Sequence, residues 1–195
     1  MSSSIAWTER EELADLFSQL GPRQPTLCAG WTTADLAAHL VLRERRLDAT
    51  LGILGGPLAN WNNSLIVKSA PRFTENIEKL KAGAPYWSAF RWFDARANSF
   101  EMLIHHEDVR RAQPDWVARN LSVIDGELWQ LLQRSSRFLM RRLAVPLNLR
   151  TPDGRSINSS EGVKVTGEPL ELLLYLAGRV GVARVDIAGK GPRPS

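Results

Sequence analysis

Apolar residues recur at helical spacing along the first three-quarters of the chain and alternate with polar ones near its end. Leu13, Leu16, Phe17 and Leu20 stripe a first helix, which the capping box Thr8-Glu9-Arg10-Glu11 should open and Gly21-Pro22 should close. A second helix is predicted from Thr32-Thr33-Ala34-Asp35, where threonine caps free amides and aspartate suits the positive helix end. It runs to about Thr50, with Leu36, Leu40, Leu47 and Leu51 facing inward. A connection bearing Gly52, Gly55, Gly56 and Pro57 follows; it holds Trp61-Asn62-Asn63 and a short helix from Thr74 to Ala82, ended by Gly83. The third long helix is predicted from Ser88 to Ala112, before Pro114, and the fourth from the cap Ser122 to Leu143 on Trp129, Leu132, Ser136 and Leu139. Four such helices with one long crossover make a four-helix bundle.

After Pro146 the period drops to two. Leu147 to Arg150 and Arg155 to Ile157 flank the turn Thr151-Pro152-Asp153-Gly154 as a hairpin, and Val163 to Val165 reads as a strand. Pro169 opens a helix through Leu176, and Ala183 to Ile187 reads as a last strand. The predicted class is therefore mainly α: a four-helix bundle over residues 1–144, followed by a small α/β domain over 145–195 packed on it. So short a second piece is marginal for a core of its own, and its seam with the bundle is where a pocket is expected.

Composition narrows the class further. With 195 residues, 44% hydrophobic and 24% charged, the chain has the make-up of one globular domain, or one and a small appendage. Cys28 is the single cysteine, which excludes an intrachain disulfide framework and suits a reducing compartment. The first residues carry acids where a signal peptide needs an apolar stretch, and no apolar run approaches a membrane span, so a soluble cytoplasmic protein is expected. The net charge of +4 raises nucleic acid as a partner, but five of the 25 basic residues are lysines and the arginines are interleaved with acids, as in Arg43-Glu44-Arg45-Arg46. A solvated surface of mixed charge accounts for that pattern, and nucleic acid is disfavoured.

Three histidines bear the candidate chemistry. His39 lies on the shoulder of the second helix's apolar stripe. In the third, Phe90, Ala97, Glu101, His105 and Asp108 fall on one face, whereas His106 is turned about 100° away. A glutamate and a histidine one turn apart can grip one cation, and His39 would complete a His-Glu-His set of the type that binds zinc or iron with open positions. The same spacing also makes an ordinary helix-face hydrogen bond, and an inward His39 can be satisfied by a polar neighbour, so spacing leaves both readings open. Cys28 precedes Gly30-Trp31 without a histidine beside it in sequence, and it is given no catalytic role. Trp31, Trp87 and Trp92 suit either a pocket or a core.

The segment Cys28-Ala29-Gly30-Trp31-Thr32-Thr33-Ala34-Asp35-Leu36-Ala37-Ala38-His39-Leu40, taken with Glu101-Met102-Leu103-Ile104-His105-His106-Glu107-Asp108-Val109-Arg110-Arg111, resembles the DinB-like superfamily, specifically the mycothiol-dependent maleylpyruvate isomerase family. The segment from Val163 to Arg179 looks like that family's small carboxy-terminal domain. The resemblance implies a DinB-like four-helix bundle holding a divalent metal, usually zinc, on the positions matching His39, Glu101 and His105. It implies mycothiol as cofactor or co-substrate, whose thiol adds to an activated double bond and later leaves, or is transferred to a small electrophile. It further implies that an arginine of the carboxy-terminal domain, best matched by Arg179, helps with substrate or thiol. Arg43, one turn beyond His39, could hold a substrate carboxylate likewise or form a helix-face salt bridge, and Asp108 could orient a ligand histidine or pair with Arg111. The Trp61 segment is particular to this chain, so the substrate does not carry over. A non-catalytic ligand-binding or regulatory protein on the same fold is the alternative, and the reading admits a homodimer.

Overall fold

The computed structural model describes residues 5–46, 59–88, 95–141, 146–157 and 162–188. Among these the chain is mainly helical, with one four-stranded sheet, and its contacts divide it into two compact units, Met1–Val117 and Ala118–Ser195.

The first unit contains α1 (Ile5–Leu20), α2 (Thr33–Arg45), α3 (Ala59–Ser69), α4 (Phe73–Ala82) and α5 (Ala95–Arg110), with a 3-10 turn at Ala70–Arg72. α1 lies along α5 and α4, while α2 packs on α4 and α3. Leu13, Phe17, Leu36, Leu40, Leu80 and Met102 form the fully buried centre of its core. α1 already runs at Ile5, before the expected cap at Thr8, because Ile5 and Ala6 are themselves buried and extend the apolar face by a turn. α2 starts as predicted: the Thr32 side chain accepts from the Asp35 amide while Asp35 accepts from the Thr32 amide at 2.9 Å. It stops at Arg45, short of the expected Thr50, since Arg46 is extended and Arg45 Nη2 instead donates to the carbonyls of Lys79 and Gly83 at the end of α4. Gly83 ends α4 with a φ of +73°, the left-handed geometry that favours glycine. The expected positions of Leu47, Leu51, Phe90 and Trp92 lie outside the described residues.

Two buried polar pairs join the helices. Arg10 Nη1 donates to Glu44 Oε2 at 2.9 Å and to the Leu80 carbonyl at 3.0 Å, which ties α1 to α2 and α4. Glu9 Oε2 sits 2.7 Å from His106 Nδ1 and ties α1 to α5. Breaking either pair would strand a charge or a donor in the core, so each fixes how its helices face one another.

In the second unit a 3-10 turn at Ser122–Ile124 leads into α6 (Asp125–Met140), with Asp125 and Glu127 in its first turn, where acids suit the positive end. The sheet has the order β2-β1-β3-β4, from β1 (Leu147–Arg150), β2 (Ser156–Ile157), β3 (Val163–Thr166) and β4 (Asp186–Ala188). The predicted hairpin forms β1 and β2, with Leu149 opposite Ile157 and Gly154 at φ +93° in the turn; β1 also pairs in parallel with β3. β4 begins at Asp186, later than the expected Ala183. The helix α7 (Pro169–Leu176) is buried at every residue and packs on α6. Apolar but for Glu171, whose Oε2 accepts from the Arg184 amide at 2.8 Å, the helix has almost no face to give to water.

Candidate metal centre

α2 and α5 bring the predicted triad together. The cap at Thr32 fixes the start of α2, and His39 follows two turns later with 7% of its surface exposed. Glu101 and His105 lie one turn apart on α5, with Glu101 Oε2 3.4 Å from His105 Nε2. The His39 and His105 rings meet edge to face, their centroids 5.4 Å apart. One ligand atom from each of the three residues lies within 4.8 Å of the others. Glu101 is the partly exposed member, with 27% of its side chain open to solvent.

The three side chains differ in their protonation. Burial, with help from the neighbouring His105 and Arg43, pushes the His39 pKa down to about 3, so its imidazole is neutral at physiological pH. For Glu101, burial alone favours the protonated acid, but His105 and Arg43 outweigh it and bring the carboxyl down to about 2. Burial opposes charge on His105 as well; hydrogen bonds to Asp108, Cys28 and Glu101 overcome that and raise its pKa well above the ordinary value. Without a metal, His105 is therefore protonated between Asp108 and Glu101; on giving up its Nε2 proton in favour of a cation it completes a donor set of a neutral imidazole, a carboxylate and a second imidazole whose far nitrogen is held by Asp108 at 2.9 Å. That chemistry fits a divalent cation with three protein ligands.

The other candidate residues fall in different places. Arg43 is buried beside the triad: its Nη1 donates to Asn98 Oδ1 at 2.8 Å and its Nε is 3.7 Å from Glu101 Oε2. Arg179 belongs to the second unit, where its Nη1 donates to the Ala177 carbonyl at 2.6 Å. Asp108 holds His105, one of its two expected partners, at 2.9 Å, and Arg111 Nε reaches Glu107 at 2.6 Å. His106 points away from Glu101 as the helical period requires, onto Glu9. Trp87 is 54% exposed, whereas Trp31 packs on the His39 ring at 5.0 Å between centroids.

Cys28, which its sequence surroundings give no catalytic role, joins this group. Its Sγ lies 3.3 Å from Asp108 Oδ2 and 3.8 Å from His105 Nδ1, so the absent histidine partner is supplied from 77 residues away. The signal available was adjacency: Cys28 stands next to the Gly30-Trp31-Thr32 motif, and Asp108 lies one turn past His105.

Residues 5–62 match the family model of the mycothiol maleylpyruvate isomerase N-terminal domain. This is the family that the sequence motifs resemble. Two solved structures share the fold: a mutant of the mycothiol-dependent maleylpyruvate isomerase (TM-score 0.67, 18% identity) and the mycothiol-dependent maleylpyruvate isomerase itself (TM-score 0.66, 17% identity). Each comparison covers 98% of this chain and 93% of the other. At these identities the likeness establishes the fold, mainly helical with a carboxy-terminal α/β part. No curated protein sequence matches the chain.

Proposed function

We propose that the chain is a divalent-metal-dependent enzyme that uses a low-molecular-weight thiol, mycothiol, on a small electrophile, as an isomerase or an S-transferase. The observation that carries this reading is the convergence of His39, Glu101 and His105 within one small volume. The family match over residues 5–62, which includes His39, and the fold shared with mycothiol-dependent maleylpyruvate isomerase support it. We read the helices as a DinB-like four-helix bundle and the cytoplasm, with its thiol pool, as the compartment.

Zinc suits the donor set best, because two imidazoles and one carboxylate are a catalytic zinc combination that leaves a position open. When bound, such a cation supplies positive charge that favours the thiolate form of a thiol and polarises a carbonyl. The protein's own residues do the rest. Asp108 holds the Nδ1 proton of His105 and keeps Nε2 turned to Glu101. Arg43 lies where it steadies the Glu101 carboxylate and lends charge to an anionic substrate group. Arg179 is assigned to a substrate or thiol carboxylate, which a guanidinium grips through two parallel hydrogen bonds.

Elemental analysis of the untagged protein beside Glu101→Ala tests the reading. About one equivalent of zinc in the parent, lost in the variant with helicity retained, is the expected result. Thiol-dependent isomerisation of maleylpyruvate is the first activity to assay, and Arg179→Ala should lower turnover at unchanged zinc. Absence of zinc from the parent even after incubation with the ion would overturn the proposal.

A further inference from the structure

We propose that Cys28 is a positioning residue of the His39–Glu101–His105 centre: its thiol donates to Asp108, and that carboxylate in turn fixes the imidazole of His105. The inference rests on the metal-centre reading above and extends it to a residue that is not itself one of the three ligands.

The Asp108 side chain is fully buried, and a carboxylate so placed must be met by donors. Its Oδ2 receives the His105 Nδ1–H at 2.9 Å and faces the Cys28 thiol at 3.3 Å, so one oxygen joins the cysteine to the histidine. A hydrogen bond at Nδ1 sets which ring nitrogen is left over; here Nε2 faces Glu101. The loop around Cys28 is built to hold it there. Thr26 Oγ1 accepts from the Cys28 amide at 3.2 Å and donates to the Trp31 carbonyl at 2.9 Å, while the Trp31 amide donates to the Cys28 carbonyl at 2.9 Å. Gly30 turns the loop at φ +76°, and the Leu27 amide donates to the Asp108 backbone carbonyl at 3.0 Å. The same loop therefore reaches both histidines, His105 through Cys28 and Asp108, and His39 through the ring of Trp31.

Packing and hydrogen bonding predict opposite orders among variants. Cys28 also touches the apolar core. If volume alone mattered, Cys28→Val would be tolerated and Cys28→Ser would not. If the thiol acts as a donor, Cys28→Ser retains function and Cys28→Val loses it. The test is zinc affinity by chelator competition on the full chain, together with the nitrogen-15 NMR signal of the His105 side chain in metal-free protein. We expect Cys28→Val to bind zinc about tenfold more weakly and Cys28→Ser to stay within about threefold of the parent, since outer partners of metal ligands are typically worth 10–100-fold. In the metal-free protein the Nδ1–H signal should persist in the parent and in Cys28→Ser but broaden in Cys28→Val. Equal affinity and equal signals in Val and Ser variants would overturn the inference, as would a serine variant weaker than the valine one. Failure of the parent to bind zinc would sink the metal-centre reading, and the NMR comparison would still decide whether Cys28 holds His105.

Discussion

His105 and His106 are neighbours in sequence and both are buried, yet they stand in different company. His106 turns to α1, where Glu9 takes its Nδ1 at 2.7 Å and Glu12, half exposed, lies 3.9 Å away. That nitrogen is already committed to a carboxylate, and the result is a cross-link between α1 and α5. His105 turns the other way: Asp108 takes its Nδ1, so its Nε2 is presented to Glu101 beside a second, neutral imidazole from α2. Burial of a histidine therefore distinguishes nothing by itself. What separates a structural pair from a candidate centre is whether one ring nitrogen is anchored while the other faces further donors.

The sharpest way to break this contrast is His39→Ala. It should abolish zinc retention, from about one equivalent to near none by elemental analysis, with the helical circular dichroism unchanged; full occupancy would remove α2 from the centre. Next in size is Glu9→Ala, which leaves the buried His106 donor without its acceptor. Chemical denaturation should register a loss of about 1–3 kcal/mol while the zinc content stays at the parent level. A fall in zinc in that variant would erase the difference between the two faces of α5. The smallest effect is expected of His106→Asn, which keeps an N–H near Glu9 and should cost about 1 kcal/mol in the same denaturation experiment with no change in zinc.

Local chemistry made much of this legible. The helix start at Thr32 with Asp35 in its first turn, the glycine stop at Gly83 and the turn Thr151–Gly154 each declare themselves within four residues and are where the sequence places them, whereas the capping box expected at Thr8 lies inside α1. The one-turn relation of Glu101 to His105, and the divergence of His106, follow from helical period alone. α3 escaped because Trp61, Asn62 and Asn63 carry no apolar stripe, so its helix draws on tertiary packing against α2. The parallel pairing of β1 with β3 and the approach of Cys28 to Asp108 escaped for a shared reason. Both join residues whose separation along the chain leaves no periodic trace.

The cap that begins α2 sets more than an end. Thr32 and Asp35 lock each other, the Thr33 amide donates to the Gln24 carbonyl, and the Ala34 amide donates to that of Pro22, so the first turn is pinned to the loop before it. His39 comes seven residues after Thr32, close to two full revolutions. The cap is thus the zero of an angular scale on which His39 is a fixed reading. One residue inserted between them would swing the imidazole through about 100° while leaving α2 as helical as before. The centre is accordingly intolerant of any error in the phase of α2, which one turn past His39 also sets Arg43 against Glu101.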